Sequence, residues 1–236
     1  MKITIIAEIG INWGGDMETA RELIRQAKSC GANIAKFQLY SVDALFPDKQ
    51  IMAQGKNWYE EVKKTELTKE QAFELANYCE KVGIEFMASA FSLEKLEWLR
   101  EIGVKRHKVA SRMNKDWDYI YKVIAAGMPV LVSVNDINDW YPYSARQLIP
   151  LYCVAEYPTE FSKLDFTHMD FNHFHGFSDH TCGIEASMVA MARGAVYLEK
   201  HFCLRRDDSN PDMICSVEPD ELKRLVVFAR KVEEML

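Results

Sequence analysis

The chain has 236 residues, 48% hydrophobic and 27% charged, with a net charge of −6. That balance excludes a disordered chain, and without a long run of Lys and Arg it argues against a general nucleic-acid binder. No apolar stretch approaches the ~20 residues of a membrane span, so the expectation is a protein with no membrane partner. The six cysteines, Cys30, Cys79, Cys153, Cys182, Cys203 and Cys215, form no CxxC pair. Most lie in apolar runs, where a thiol behaves as a small hydrophobe. Met1 is followed by no signal peptide, and a reducing, cytoplasmic setting is expected.

Short β-type runs alternate with amphipathic helical stretches along the chain. A strand over residues 3–9 leads to a helix over 17–30, with Asp16 as its cap and Gly31 as its stop. A strand over 33–38 precedes a helix over 69–82, bounded by Thr68 and Gly83. Next come a strand over 85–89, a helix over 93–102 between Ser92 and Gly103, and a strand over 105–110. A helix over 117–126 stops at Gly127 and is followed by strands over 130–133, 147–154 and 175–178. A helix over 184–193 stops at Gly194, and a strand over 196–201 and a helix over 219–234 complete the series.

Strands alternating with crossover helices imply a parallel sheet, and eight of them fit a (β/α)8 TIM barrel forming a single domain over 1–236. Its fifth and sixth helices are expected to be shortened or irregular. Residues 134–146 hold Asn-Asp and Trp-Tyr-Pro-Tyr with little helical period, and 157–175 leave room for only a short helix. The structural alternative, a doubly wound open sheet, would need a glycine-rich phosphate loop after its first strand. Gly10 followed by Gly14 and Gly15 matches that weakly.

In a parallel barrel the functional face lies at the carboxyl ends of the strands. Those ends carry Glu8, Lys36 with Gln38, Ser89, Lys108 with Ser111, Ser133, Tyr157, Ser178 with His180, and His201. Lys36 and Gln38 are two apart and face one side of their strand. A strand lysine among apolar residues needs an anionic partner, so Lys36 and Lys108 read as a clamp for phosphate or carboxylate, completed by the serines. The alternative is that they snorkel to solvent at the rim. His180 and His201 end neighbouring strands, where two neutral imidazoles would suit one divalent ion. His107, His168, His173 and His175 read as structural or surface residues.

Seven stretches taken together resemble the sialic acid synthase family. They are Ala7-Glu8-Ile9-Gly10-Ile11-Asn12, Lys36-Phe37-Gln38, Lys108-Val109-Ala110-Ser111, Glu156-Tyr157-Pro158-Thr159, Ser178-Asp179-His180-Thr181, Glu199-Lys200-His201-Phe202, and Pro211-Asp212 ahead of Ser216-Val217-Glu218-Pro219. The resemblance implies a barrel that condenses phosphoenolpyruvate with an aldose, breaking its C–O bond to release phosphate and form a nonulosonic acid. It assigns Lys36, Ser89, Lys108, Ser111, Ser133 and Ser178 to phosphoenolpyruvate. Gln38, Tyr157 and Asp212 fall to the acceptor sugar, and Glu8 to an acid at the phosphoenolpyruvate end of the pocket. It makes His180 and His201 the ligands of a divalent metal, Mn²⁺ first with Mg²⁺ or Co²⁺ as alternatives, and gives catalytic work to Glu8, Lys36, Lys108, His180 and His201.

The chain also departs from the family pattern. Met113 stands where the family has an acid facing the reacting carbons, which leaves Glu8 or Asp136 as the substitute. Ala155 replaces an Asn or Ser, Trp13 replaces a His, and Ser133-Val134-Asn135-Asp136 replaces Ser-Thr-Gly-Met. The family's antifreeze-like domain, which brings an arginine to a partner's sugar site, has no counterpart before Leu236, leaving room for a homo-oligomer or a separate partner subunit. Two other readings stay open: a degenerate barrel that binds a phosphorylated metabolite without turnover, and a Schiff-base aldolase using Lys36, Lys108 or Lys200.

Overall fold

Ile6, Ile34, Met87, Leu131 and Leu151 come from five different strands and meet as one buried apolar cluster inside a closed barrel. The computed structural model describes residues 2–136, 146–166, 171 and 173–235. Among them, eight parallel strands close in the order β1 (Thr4–Glu8), β2 (Ile34–Leu39), β5 (Glu85–Ala90), β6 (His107–Val109), β7 (Val130–Val134), β8 (Leu148–Tyr152), β9 (Gly176–Asp179) and β10 (Tyr197–His201), which returns to β1. Closure removes both sheet edges and rules out the doubly wound alternative.

The helices α1 (Met17–Cys30), α4 (Lys69–Val82), α5 (Leu93–Ile102), α6 (Trp117–Ile124), α7 (Glu185–Ala192) and α8 (Pro219–Met235) match the sequence expectation to within two residues at each end. Local chemistry explains the agreement. The Asp16 carboxylate accepts from the Glu18 and Thr19 amides, and Thr68 forms a reciprocal capping box with Gln71. Their apolar faces pack on the outward residues of the strands in one large core that includes Ile5, Phe37, Phe86, Val132, Phe177 and Leu198. Each such side chain contributes about 1.5–3 kcal/mol on burial.

The sixth crossover contains the single 3-10 turn Phe161–Lys163 among its described residues, in line with the short helix expected there. The irregular fifth helix was expected over 134–146, where 137–145 lie outside the described residues, as does His168. No helix among the described residues is long and apolar enough to cross a membrane. All six cysteines are free, and five of them are buried.

Gly176 is required by packing inside the barrel. A Cβ placed there would lie 2.3 Å from the Tyr197 carbonyl oxygen and 2.8 Å from a Leu151 methyl group. One region had no counterpart in the sequence reading. Between β2 and α4 the chain forms α2 (Val42–Leu45), a small hairpin of β3 (Met52–Ala53) with β4 (Lys56–Asn57), and α3 (Tyr59–Lys63). These pieces pack on Ile11 and Tyr40 as a second apolar cluster at the carboxyl end of the strands. From the hairpin turn Gln54 donates to the Pro211 carbonyl at 3.2 Å, linking this cover to the loop after β10.

Candidate active site

Strand side chains alternate between faces, so the residues two positions beyond the apolar layer also point inward. They are Glu8, Lys36, Ser89, Ser133 and Cys153, and they line one cavity at the carboxyl end together with Gln38, Lys108, Ser111, Tyr157, Ser178, His180, Glu199 and His201. The cavity together with the solvent at its open mouth takes up about 330 Å³. Every sequence-predicted site residue except Asp212 lines it. Asp212 stands at its edge, with its Oδ2 3.4 Å from His201 Nδ1.

Lys36 and Lys108 are each 3% exposed, so neither snorkels to solvent. Lys36 donates to Glu8 Oε2 at 2.7 Å and lies 3.4 Å from Glu199 Oε1. Lys108 donates to Ser133 Oγ at 2.7 Å and to the Val109 carbonyl at 3.1 Å, with Glu199 Oε1 3.9 Å away. Glu199 also accepts from Ser178 at 3.0 Å. One carboxylate thus sits between two ammonium groups on the cavity floor.

The electrostatics of the two lysines differ. Burial works against the charge on Lys36, but Glu199 and Glu8 together outweigh it and hold its pKa above the usual lysine value. For Lys108 burial prevails over the Glu199 carboxylate, and its pKa falls. Burial also acts on Glu199, yet Lys108 and Lys36 pull its pKa below the ordinary value. Burial raises the pKa of Glu8 despite Lys36, and Gln38 donates to its other oxygen at 2.8 Å. Partial burial, with the Glu8 carboxyl nearby, pushes Asp212 up to about 7. The floor therefore holds one lysine whose charge its carboxylates reinforce and one whose charge burial weakens, and its rim carries carboxyl groups that hold protons more tightly than in water.

The two imidazoles stand 5.5 Å apart between ring centroids. Burial brings the pKa of His180 down to about 4 and that of His201 well below the ordinary value, so both rings are neutral at pH 7. His180 Nδ1 lies 2.8 Å from the Val154 carbonyl. A neutral ring must donate there, which leaves Nε2 with a free lone pair. Tyr157 stacks on His180 at 4.1 Å. His201 Nδ1, Ser89 Oγ and Glu199 Oε2 are buried without a hydrogen-bond partner among the described residues, the condition of groups arranged for a ligand.

The sequence reading is corrected at three places. Lys200 does not face the cavity: it is fully buried on the outer side of β10, paired with Asp179 at 3.2 Å, and is no candidate for an imine in this pocket. Met113 packs against the helix-facing core and is absent from the cavity lining. Asp136 is exposed and also outside the lining. Trp13, at the family's histidine position, is core. Glu199 and Cys153 line the cavity but were not picked out. Glu199 lies two residues before His201, and that spacing was the available signal.

Comparison with known proteins agrees with this geometry. Residues 23–236 match the NeuB family. The chain is 34% identical to the human N-acetylneuraminate-9-phosphate synthase over 98% of its own length and 70% of that protein. It is 30% identical to the N,N'-diacetyllegionaminic acid synthase of Legionella pneumophila over 100% of its length and 74% of that protein. Among solved structures, the N-acetylneuraminic acid synthetase of Leptospira borgpetersenii, crystallised with citrate, superposes with a TM-score of 0.86 at 29% identity. That match covers 100% of this chain and 85% of the other.

Proposed function

The chain belongs to the NeuB family, and on that premise we propose that its barrel condenses phosphoenolpyruvate with an aldose to give a nonulosonic acid and inorganic phosphate. The observation that carries the reading is the cavity floor, where Lys36 and Lys108 face an anion-sized space ringed by Ser89, Ser111, Ser133 and Ser178. Lys36 and Lys108 bind the phosphate and carboxylate of phosphoenolpyruvate through charge-assisted bonds, and the serine hydroxyls complete the donor set. Gln38, Tyr157 and Asp212 hold the sugar at the mouth. Fixing the two reactants in one cavity converts a bimolecular step into a unimolecular one.

The donor set fits a divalent cation, Mn²⁺ first and Mg²⁺ or Co²⁺ as alternatives. His180 and His201 are neutral, His180 presents Nε2, and His201 Nδ1 is buried without a hydrogen bond. Bound there, the ion would supply Lewis-acid polarisation of the acceptor carbonyl. In the reaction the enol carbon of phosphoenolpyruvate forms a bond to the aldehyde carbon. Water then adds its oxygen to C2, and the C2–O bond to phosphate breaks with its electron pair leaving on the phosphate. Glu8, whose pKa burial holds above the ordinary carboxyl value, delivers one proton to the new hydroxyl oxygen and takes one from the attacking water, and the second water proton goes to the departing phosphate as the 2-keto group forms. This gives Glu8 the proton transfers that Met113 cannot perform. The free thiols of the core suit a reducing cytoplasm.

The lowered pKa of Lys108 favours a second reading, imine formation with a carbonyl substrate. Phosphate release from phosphoenolpyruvate across a panel of aldoses, with and without Mn²⁺, tests the first reading. Borohydride trapping tests the second. Mn²⁺-dependent release with no trapped adduct supports the condensation, and a trapped adduct at Lys108 without phosphate release overturns it.

A further inference from the structure

Behind the two imidazoles lies a buried ion pair that touches no part of the cavity. Asp179 and Lys200 are both fully buried. They stand opposite each other in the β9–β10 register, with Lys200 Nζ 3.2 Å from Asp179 Oδ2. Each is the immediate chain neighbour of an imidazole, Asp179 before His180 and Lys200 before His201. Strand alternation sends the ion pair outward toward α7 and the imidazoles inward.

The pair ties together backbone that carries the rings. Asp179 Oδ1 accepts from the Thr181 amide and the Thr181 hydroxyl, both at 2.8 Å. Its Oδ2 accepts from Ser187 on α7. Lys200 donates to the Thr181 carbonyl at 2.5 Å. The residues on both sides of His180 are thus clamped to the strand that ends in His201. The clamp extends further, because the Thr159 amide donates to the His180 carbonyl at 2.8 Å and Thr159 bridges Thr181. That contact brings Tyr157 over the His180 ring.

A buried ion pair is weak evidence for stability, since two apolar residues of similar volume often serve as well or better. This one is hydrogen-bonded at every turn and joins the carriers of two side chains that must meet at one point. We infer that Asp179 and Lys200 are positioning residues that set the separation and orientation of His180 and His201. The inference rests on the reading of those histidines as the ligands of a divalent ion. Groups that orient metal ligands from behind are typically worth 10–100-fold in affinity.

The double variant Asp179→Asn/Lys200→Met removes both charges together and leaves no unpaired buried ion. The new amide side chain keeps an acceptor for the Thr181 backbone N–H. Mn²⁺ affinity is measured by calorimetry without substrates, on wild type, on His180→Ala and on the double variant, with circular dichroism checking each fold. The expected result is a folded double variant whose Mn²⁺ Kd is raised at least about tenfold, and whose crystal structure shows the imidazole centroids displaced from 5.5 Å. A folded double variant with wild-type Mn²⁺ affinity overturns the inference. If wild type and His180→Ala bind Mn²⁺ equally, the metal reading fails instead. The crystal structure of the double variant then decides, with unmoved imidazoles overturning the positioning role and displaced ones upholding it. If the double variant does not fold, Asp179→Asn/Lys200→Gln, which also removes both charges, is measured in its place against the same two outcomes.

Discussion

Glu199→Gln removes one charge and little volume from the cavity floor, so it isolates what that carboxylate does. In wild type its oxygen lies 3.4 Å from the Lys36 ammonium and 3.9 Å from that of Lys108, and it accepts from Ser178. After the change Lys36 keeps Glu8, but Lys108 is left buried with no carboxylate among the described residues it contacts. Breaking a buried pair by removing one partner costs about 3–5 kcal/mol. Gln still accepts from Ser178, which places the expected loss at about 3 kcal/mol. For a chain of this length that corresponds to a fall in Tm of roughly 6–12 °C by scanning calorimetry. Phosphoenolpyruvate brings negative charge to the same floor, so it should return more of the lost Tm to the variant than it adds to wild type. A variant that melts within about 2 °C of wild type, where ordinary surface substitutions fall, would refute the claim that Glu199 holds the two lysines together.

Two further outcomes follow from the fold. His107 is buried, neither ring nitrogen has a hydrogen-bond partner among the described residues, and burial with Arg100 nearby pushes its pKa down to about 4. Between pH 4 and 6.5 the unfolded chain therefore binds more protons at this site than the folded one, and stability is lost as pH falls through that window. The gap is worth about 3 kcal/mol, so His107→Leu should lose about that much less between pH 7 and pH 4 in urea unfolding; equal losses in both proteins would refute the assignment. Gly176→Ala should destabilise by about 2–3 kcal/mol or more, because the new methyl meets the Tyr197 backbone oxygen at 2.3 Å. An unchanged urea midpoint would show that the barrel interior yields there.

The sequence made the barrel legible because its local signals agree. Capping side chains, glycine stops and apolar spacing each point to the same helix ends, and short runs of three to six residues between them mark the strands. The mouth cover between β2 and α4 was not legible. Its pieces are two to five residues long, too short for a helical or strand period to develop, and they are held by tertiary contacts of Trp58, Tyr59 and Tyr40. Most of the site could be read from strand ends, since a closed parallel barrel brings those ends together. Glu199 carries no strand-end signal because it sits one step of the pleat below His201, deeper in the barrel. Lys200, a candidate for an imine, is the immediate neighbour of the inward His201, so strand alternation sends it outward, as its pairing opposite Asp179 bears out. Met113 shows the limit of position matching: a side chain aligned with a family acid packs on the outer core instead.

The most direct test of the proposed chemistry uses phosphoenolpyruvate labelled with heavy oxygen in the bridge between C2 and phosphorus. The labelled compound is incubated with the protein, Mn²⁺ and the aldose that gives the fastest phosphate release, and the products are weighed by mass spectrometry. The account predicts that the label leaves with inorganic phosphate while a 2-keto acid three carbons longer than the aldose appears. Label retained in the carbon product would mean P–O cleavage, and it would contradict the account.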